Sequence, residues 1–123
     1  MKLKDNFFQI KDYCKTQTGV DFTIRFNPQH LIYQVHFPGN PVTPGACIIQ
    51  IIKELAIEVL QCNLFLKKCN NVKFLKVINP VENIEVVFSI SIASENSDTH
   101  KINALVYDNE QQFAKLSMIL INN

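Results

Sequence analysis

From Ala46 to about Leu66 the chain is apolar around most of a helical circumference. Ile48, Ile51, Ile52, Leu55, Ala56 and Val59 recur at helical spacing, while Gln50, Lys53, Glu54, Glu58 and Gln61 fall on one narrow stripe. A helix this apolar must be covered nearly all round, and in 123 residues only a sheet curled around it can do so. The rest of the chain supplies the strands. Phe7 to Asn27 reads as two extended segments split by Thr18-Gly19, and the second, Val20 to Phe26, alternates cleanly. Further strands are expected at Val72–Ile78, Ile84–Ala93, Thr99–Tyr107 and Gln112–Ile121. Among these, Ile84, Val86, Phe88, Ile90 and Ile92 carry the strongest period-two signal. Lys67-Lys68-Cys69-Asn70-Asn71 is expected to end the helix, and Gln29–Val35 reads as a mixed connection without legible geometry, whose Leu31, Ile32 and Tyr33 are expected to pack under the proline-rich loop that follows. The prediction is a single α+β domain over 1–123, an antiparallel sheet of about five or six strands wrapped around one long central helix.

Immediately before the helix stands His36-Phe37-Pro38-Gly39-Asn40-Pro41-Val42-Thr43-Pro44-Gly45, with three prolines and two glycines in ten residues. Proline locks φ and bars helix at the residue before it, so the run is a stiff loop. Its last residues deliver unpaired backbone N–H groups at a helix N-terminus. A base and an anion-friendly helix end are thus held at fixed separation.

Composition narrows the function classes. With 12 Lys plus Arg against 11 Asp plus Glu the net charge is +1, which gives no global attraction to nucleic acid or an anionic membrane. Met1 to Asn6 carries no apolar run, and Gln50, Lys53 and Glu54 interrupt the apolar stretches, so a cytoplasmic protein without a membrane span is expected. Cys14, Cys47, Cys62 and Cys69 form no CxxC pair and have no metal-type spacing with His30, His36 or His100, which leaves no metal site. They read as free thiols, with Cys47 and Cys62 placed in the apolar helix and Cys47 close to the loop. His30 and His100 read as surface or turn histidines; only His36 has a site around it.

The loop resembles the H-F-P-x-x-P-x-x-P-G pattern of the β-hydroxyacyl-acyl-carrier-protein dehydratases of the FabZ type, which have the hot-dog fold. His36, Phe37, Pro38, Pro41, Pro44 and Gly45 match its fixed positions. A weaker match is Val72 to Pro80, similar to the family's strand after the central helix. The resemblance implies removal of water from a 3-hydroxyacyl thioester to give the trans-2-enoyl thioester. His36 would be the catalytic base for the α-proton, a task suited to imidazole. The N–H of Gly45 would polarise the thioester carbonyl, with Phe37, Pro44 and Ala46 as further substrate-binding positions.

The family places a Glu or Asp fourteen residues after the histidine, and this chain has Gln50 there. An amide can hold a hydroxyl or water but has no carboxylic proton to donate. Glu54 stands one helical turn on, where the family commonly has Gln, so the two residue types have changed places. One reading makes Glu54 the relocated acid and Gln50 a positioning amide; others are a non-catalytic acyl-thioester binding module and a hot-dog thioesterase. Val35 also departs from the glycine that often precedes the histidine. The resemblance further implies a homodimer at least, with assembly up to a hexamer open, and His36 facing the partner's Gln50 and Glu54. The substrate would be an acyl-carrier-protein or CoA thioester that brings its own phosphopantetheine arm, so no cofactor is expected. Arg25, Lys67, Lys68, Lys73 and Lys76 are candidates for docking an acidic carrier protein.

Overall fold

The computed structural model describes residues 2–36 and 38–123. Its element order is β1 (Phe8–Lys15), β2 (Gly19–Phe26), α1 (Leu31–Val35), α2 (Gly45–Leu60), β3 (Leu64–Phe74), β4 (Glu85–Ser94), β5 (Thr99–Tyr107) and β6 (Gln112–Asn122). The strands form one antiparallel sheet in the order β1-β2-β4-β5-β6-β3. Alternation decides the faces: Phe22, Ile24, Val86, Phe88, Ile102 and Met118 all point inward and are at most 5% exposed. They meet Ile48, Ile51, Ile52, Leu55 and Ala56 of α2, so the core lies between the sheet and the helix it wraps. Gly19 has a local reason of its own, since a Cβ there would lie 1.8 Å from the carbonyl oxygen of Ile90 on the paired strand.

The helix is shorter than its apolar pattern. It ends at Leu60, where Gln61 turns into the left-handed region (φ 55°, ψ 41°) and donates its N–H to Ile57 O at 2.8 Å. Leu64 already belongs to β3, and Lys67–Asn71, expected to end the helix, lie inside that strand, which pairs with β6. Two register shifts, between Leu66 and Lys68 and between Asn70 and Lys73, break the period-two pattern and conceal the strand from sequence reading. The strand expected over Val72–Ile78 therefore ends at Phe74. From Leu75 to Ile78 the chain is irregular and packs on the Pro-rich loop, with Thr43 N donating to Ile78 O at 2.9 Å. The connection without legible geometry contains the one-turn helix α1, capped by His30, whose Nδ1 accepts from Ile32 N at 3.1 Å.

Two side-chain expectations need correction. Cys62 lies beyond the end of α2 and not in the helix. His100 is buried on β5 between Ser94 Oγ (2.6 Å from Nδ1) and Asn122 Oδ1 (2.8 Å from Nε2), where it ties the ends of β4 and β6 together. A histidine whose two ring nitrogens both find partners can sit in a core without penalty for unmet polarity, and nothing in the sequence spacing signals that.

Candidate active site

The loop is anchored from beneath before it reaches the helix. Tyr33 of α1 is 2% exposed; its ring stacks on Phe7 (centroids 5.0 Å, interplanar 20°) and its hydroxyl lies 2.8 Å from Thr43 Oγ1. Burial pushes the Tyr33 phenol well above its ordinary range, so it stays a neutral hydroxyl. Thr43 is thereby held from both sides, by Tyr33 and by Ile78 O. Tyr33 thus packs under the loop as the sequence led us to expect, whereas Leu31, expected beside it, is 69% exposed; the hydroxyl contact with Thr43 went unforeseen, because it joins a one-turn helix to a loop with no periodicity in either.

His36 is the C-cap of α1; its N–H donates to Ile32 O at 2.9 Å and its side chain is exposed. Phe37 lies outside the described residues. At the other end of the loop Pro44 is the N-cap of α2 and supplies no side-chain hydrogen bond, which leaves the Gly45 and Ala46 N–H groups at the open end of a sixteen-residue helix. Gly45 is close-packed: a Cβ there would lie 2.7 Å from the ring of Phe74. Phe74 thus covers the helix start, and with Val42, Thr43, Ile48 and the segment Leu75–Ile78 it lines an apolar cavity of about 280 Å³ against Gly45. Cys47, one turn into the helix, is buried, and burial raises its thiol pKa, so it stays an unreactive thiol.

Gln50 and Glu54 are brought together, and neither lines the Gly45 cavity. Gln50 Nε2 donates to Glu54 Oε2 at 2.9 Å. Glu54 is 7% exposed and takes two further donors, Leu3 N on Oε2 and Lys4 N on Oε1, each at 2.8 Å. Charge-assisted bonds of this kind are roughly twice as strong as neutral ones. The polar stripe of α2 is therefore the seat of the N-terminal segment; Lys4 Nζ also reaches Glu58 at 3.0 Å, which raises the lysine pKa. Lys2, Lys4, Lys53 and Ile57 join Gln50 and Glu54 around a second cavity of about 280 Å³, and His36 lines neither of the two. Of the lysines, Lys76 lines the Gly45 cavity and Lys73 lines a groove with Ser89, Asn103 and Lys115. Among the described residues no group of three or more His, Cys, Asp or Glu converges as a metal site, and no helix is long and apolar enough to cross a membrane.

A family model described as the ApeI-like dehydratases (ApeI dehydratase) matches residues 12–115, most of the sheet together with the loop and α2. The chain belongs to this family. Individual proteins similar to this ApeI-like chain agree in type. The 3-hydroxyacyl-[acyl-carrier-protein] dehydratase FabZ of Lactobacillus helveticus is 30% identical over 95 residues, covering 72% of this chain and 64% of that protein. The same enzyme of Levilactobacillus brevis is 32% identical over 95 residues, again covering 72% and 64%. The chain thus spans just under two thirds of the length of these relatives. Among solved structures, the dehydratase heterocomplex ApeI:P from Xenorhabdus doucetiae superposes with a TM-score of 0.68 at 16% identity, covering 92% of this chain and 96% of that one. A hypothetical thioesterase with coenzyme A from Streptococcus pneumoniae superposes with a TM-score of 0.65 at 9% identity, covering 94% and 85%. At such identities the solved structures share the fold alone. The architecture is the hot-dog fold, and the family to which the chain belongs is described as one of dehydratases.

Proposed function

We propose that this chain binds a 3-hydroxyacyl thioester at the loop–helix junction and removes water from it. The observation that carries the reading is the intact loop, which sets an exposed imidazole at one end and the open N-terminus of α2, roofed by Phe74, at the other. The Gly45 N–H hydrogen-bonds the thioester carbonyl and stabilises the charge that grows on its oxygen. His36 takes the α-proton, and the C–H electron pair moves into the enolate and then into the new double bond as the C3–O bond breaks. The departing hydroxyl needs one proton to leave as water. Gln50 can hold that hydroxyl by hydrogen bonds but has no proton to give, so the imidazolium just formed at His36 is the acid at hand.

Gln50 in the acid position also favours a second reading, a binding module that holds the thioester and does not turn it over. One assay separates the two. The protein is mixed with 3-hydroxybutyryl thioester, on CoA and on acyl-carrier protein, and the ultraviolet absorbance of the enoyl thioester is followed beside equilibrium binding. Turnover is the expected result; binding without turnover would favour the module, and hydrolysis of the thioester would favour the thioesterase.

The site is proposed to be completed by a second copy of the chain, since His36 lines neither the Gly45 nor the Gln50–Glu54 cavity within one chain. β3 is the last strand of the sheet and exposes Phe65 (51%), Leu66 (41%) and Phe74 (50%), apolar surface at a strand edge that invites pairing. Sedimentation velocity is expected to show a dimer at least, and Phe65→Lys with Val72→Lys is expected to give monomers with little turnover. A monomeric parent protein, or a variant that still dimerises, removes β3 as the joint.

A further inference from the structure

We propose that Glu54 is a positioning residue, one that locks the side-chain amide of Gln50 in a single orientation at the site. The inference rests on the dehydratase reading for its catalytic consequence but not for its geometry. An amide presents two unlike edges, and only a partner that can do one thing selects between them. An ionised carboxylate only accepts, so the Nε2 edge of Gln50 faces Glu54 Oε2 at 2.9 Å and the Oε1 edge is turned the other way. The carboxylate itself cannot rotate to follow the amide, because Leu3 N and Lys4 N hold its two oxygens at 2.8 Å each. All three of these partners of Glu54 are donors, and together they fill most of the acceptor sites that a carboxylate offers. This is the arrangement of a fixed acceptor, in place of the proton donor that the relocated acid would have to be.

The clamp extends to the loop. The carbonyl of Leu3, whose N–H binds Glu54, accepts from the N–H groups of Asn6, Phe7 and Phe8, a tight turn that sends Phe7 onto the ring of Tyr33. Tyr33 in turn holds Thr43, which lies between His36 and Gly45 in the loop. The Gln50–Glu54 pair on the helix and the loop that the dehydratase reading makes the carrier of the base are therefore joined through residues 3–8, with Glu54 as the fixed point.

A double-mutant cycle on Glu54→Gln and Gln50→Ala tests this, read by kcat with a 3-hydroxyacyl thioester and by the side-chain amide resonances of Gln50 in uniformly ¹³C,¹⁵N-labelled protein. Glu54→Gln is expected to lower kcat about tenfold or more in the parent background and to change nothing in the Gln50→Ala background, because a residue acting through another has no effect once that other is gone. Equal losses in both backgrounds would make Glu54 an acid in its own right and overturn the proposal. In the NMR arm the Gln50 amide pair is expected to move toward the position of a solvated amide in Glu54→Gln. Parent protein alone gives the same answer if the variant does not fold: the Gln50 amide protons are expected to titrate together with the Glu54 carboxyl carbon. A Gln50 amide that stays flat while Glu54 titrates sinks the proposal. The NMR arm needs no turnover, so a protein that binds thioester without dehydrating it fails the function reading and still decides this one.

Discussion

Alanine at His36 is expected to lower dehydration of a 3-hydroxyacyl thioester by about 10²- to 10⁴-fold, the usual loss when a positioned base is removed. Thioester binding should change little. The ring of His36 is exposed and bears no part of the core, and its structural contribution is a backbone N–H to Ile32 O that alanine keeps. The Gly45 N–H, the Phe74 ring and the cavity lined by Val42, Ile48 and Ile78 remain, so the ground-state contacts persist and the loss falls on kcat. Initial rates and equilibrium binding on the same preparation check this. An unchanged kcat takes His36 out of the mechanism, and a proportional loss of binding makes it a substrate contact only.

Gln50→Glu is expected to act in the opposite direction, raising turnover by about 10²-fold. The substitution brings a carboxyl group to the position that now donates to Glu54 Oε2 at 2.9 Å. Two carboxylates at that separation cannot both ionise, so the pair retains one proton over a range where an isolated glutamate has lost its own. Leu3 N and Lys4 N already occupy the Glu54 oxygens, so the shared proton is held between the two carboxyl groups and within reach of the new side chain at position 50. The departing hydroxyl then meets a general acid and no longer depends on the His36 imidazolium. The rate should fall as pH rises through the upper titration of the carboxyl pair, a limb absent from the parent profile. If Gln50→Glu gives no gain in a folded protein, proton donation does not limit the reaction of this chain.

Much of the frame around the candidate site was legible in the sequence, because it is written in residues whose backbone chemistry leaves few choices. Pro38, Pro41 and Pro44 dictate a loop wherever they occur, and Gly45 after Pro44 opens the helix there, at the residue where α2 begins. Ile84 to Ile92 alternate because a strand buried on one face has no alternative, and β4 lies across Glu85–Ser94. The end of α2 was illegible for a converse reason. Leu64, Phe65 and Leu66 are as apolar as the helix before them, and only pairing with β6, interrupted by two register shifts, makes them a strand. The connection before the loop was unreadable too, since a single turn of helix at Leu31–Val35 is too short to display a period.

The sequence by itself determined that a nearly all-round apolar helix lies within an antiparallel sheet, and that a Pro-rich loop leads into the start of that helix. Local sterics and hydrophobic periodicity act over a few residues, so a linear reading captures them. Only the tertiary structure decided what Glu54 binds. By spacing it lies on a polar stripe one turn from Gln50, equally suited to a solvated carboxylate or an acid. Leu3 and Lys4, some fifty residues away in the chain, fold back over that stripe and place their N–H groups on its two oxygens. A buried carboxylate takes its role from the donors that surround it, and those donors arrive through long-range packing that no local pattern encodes.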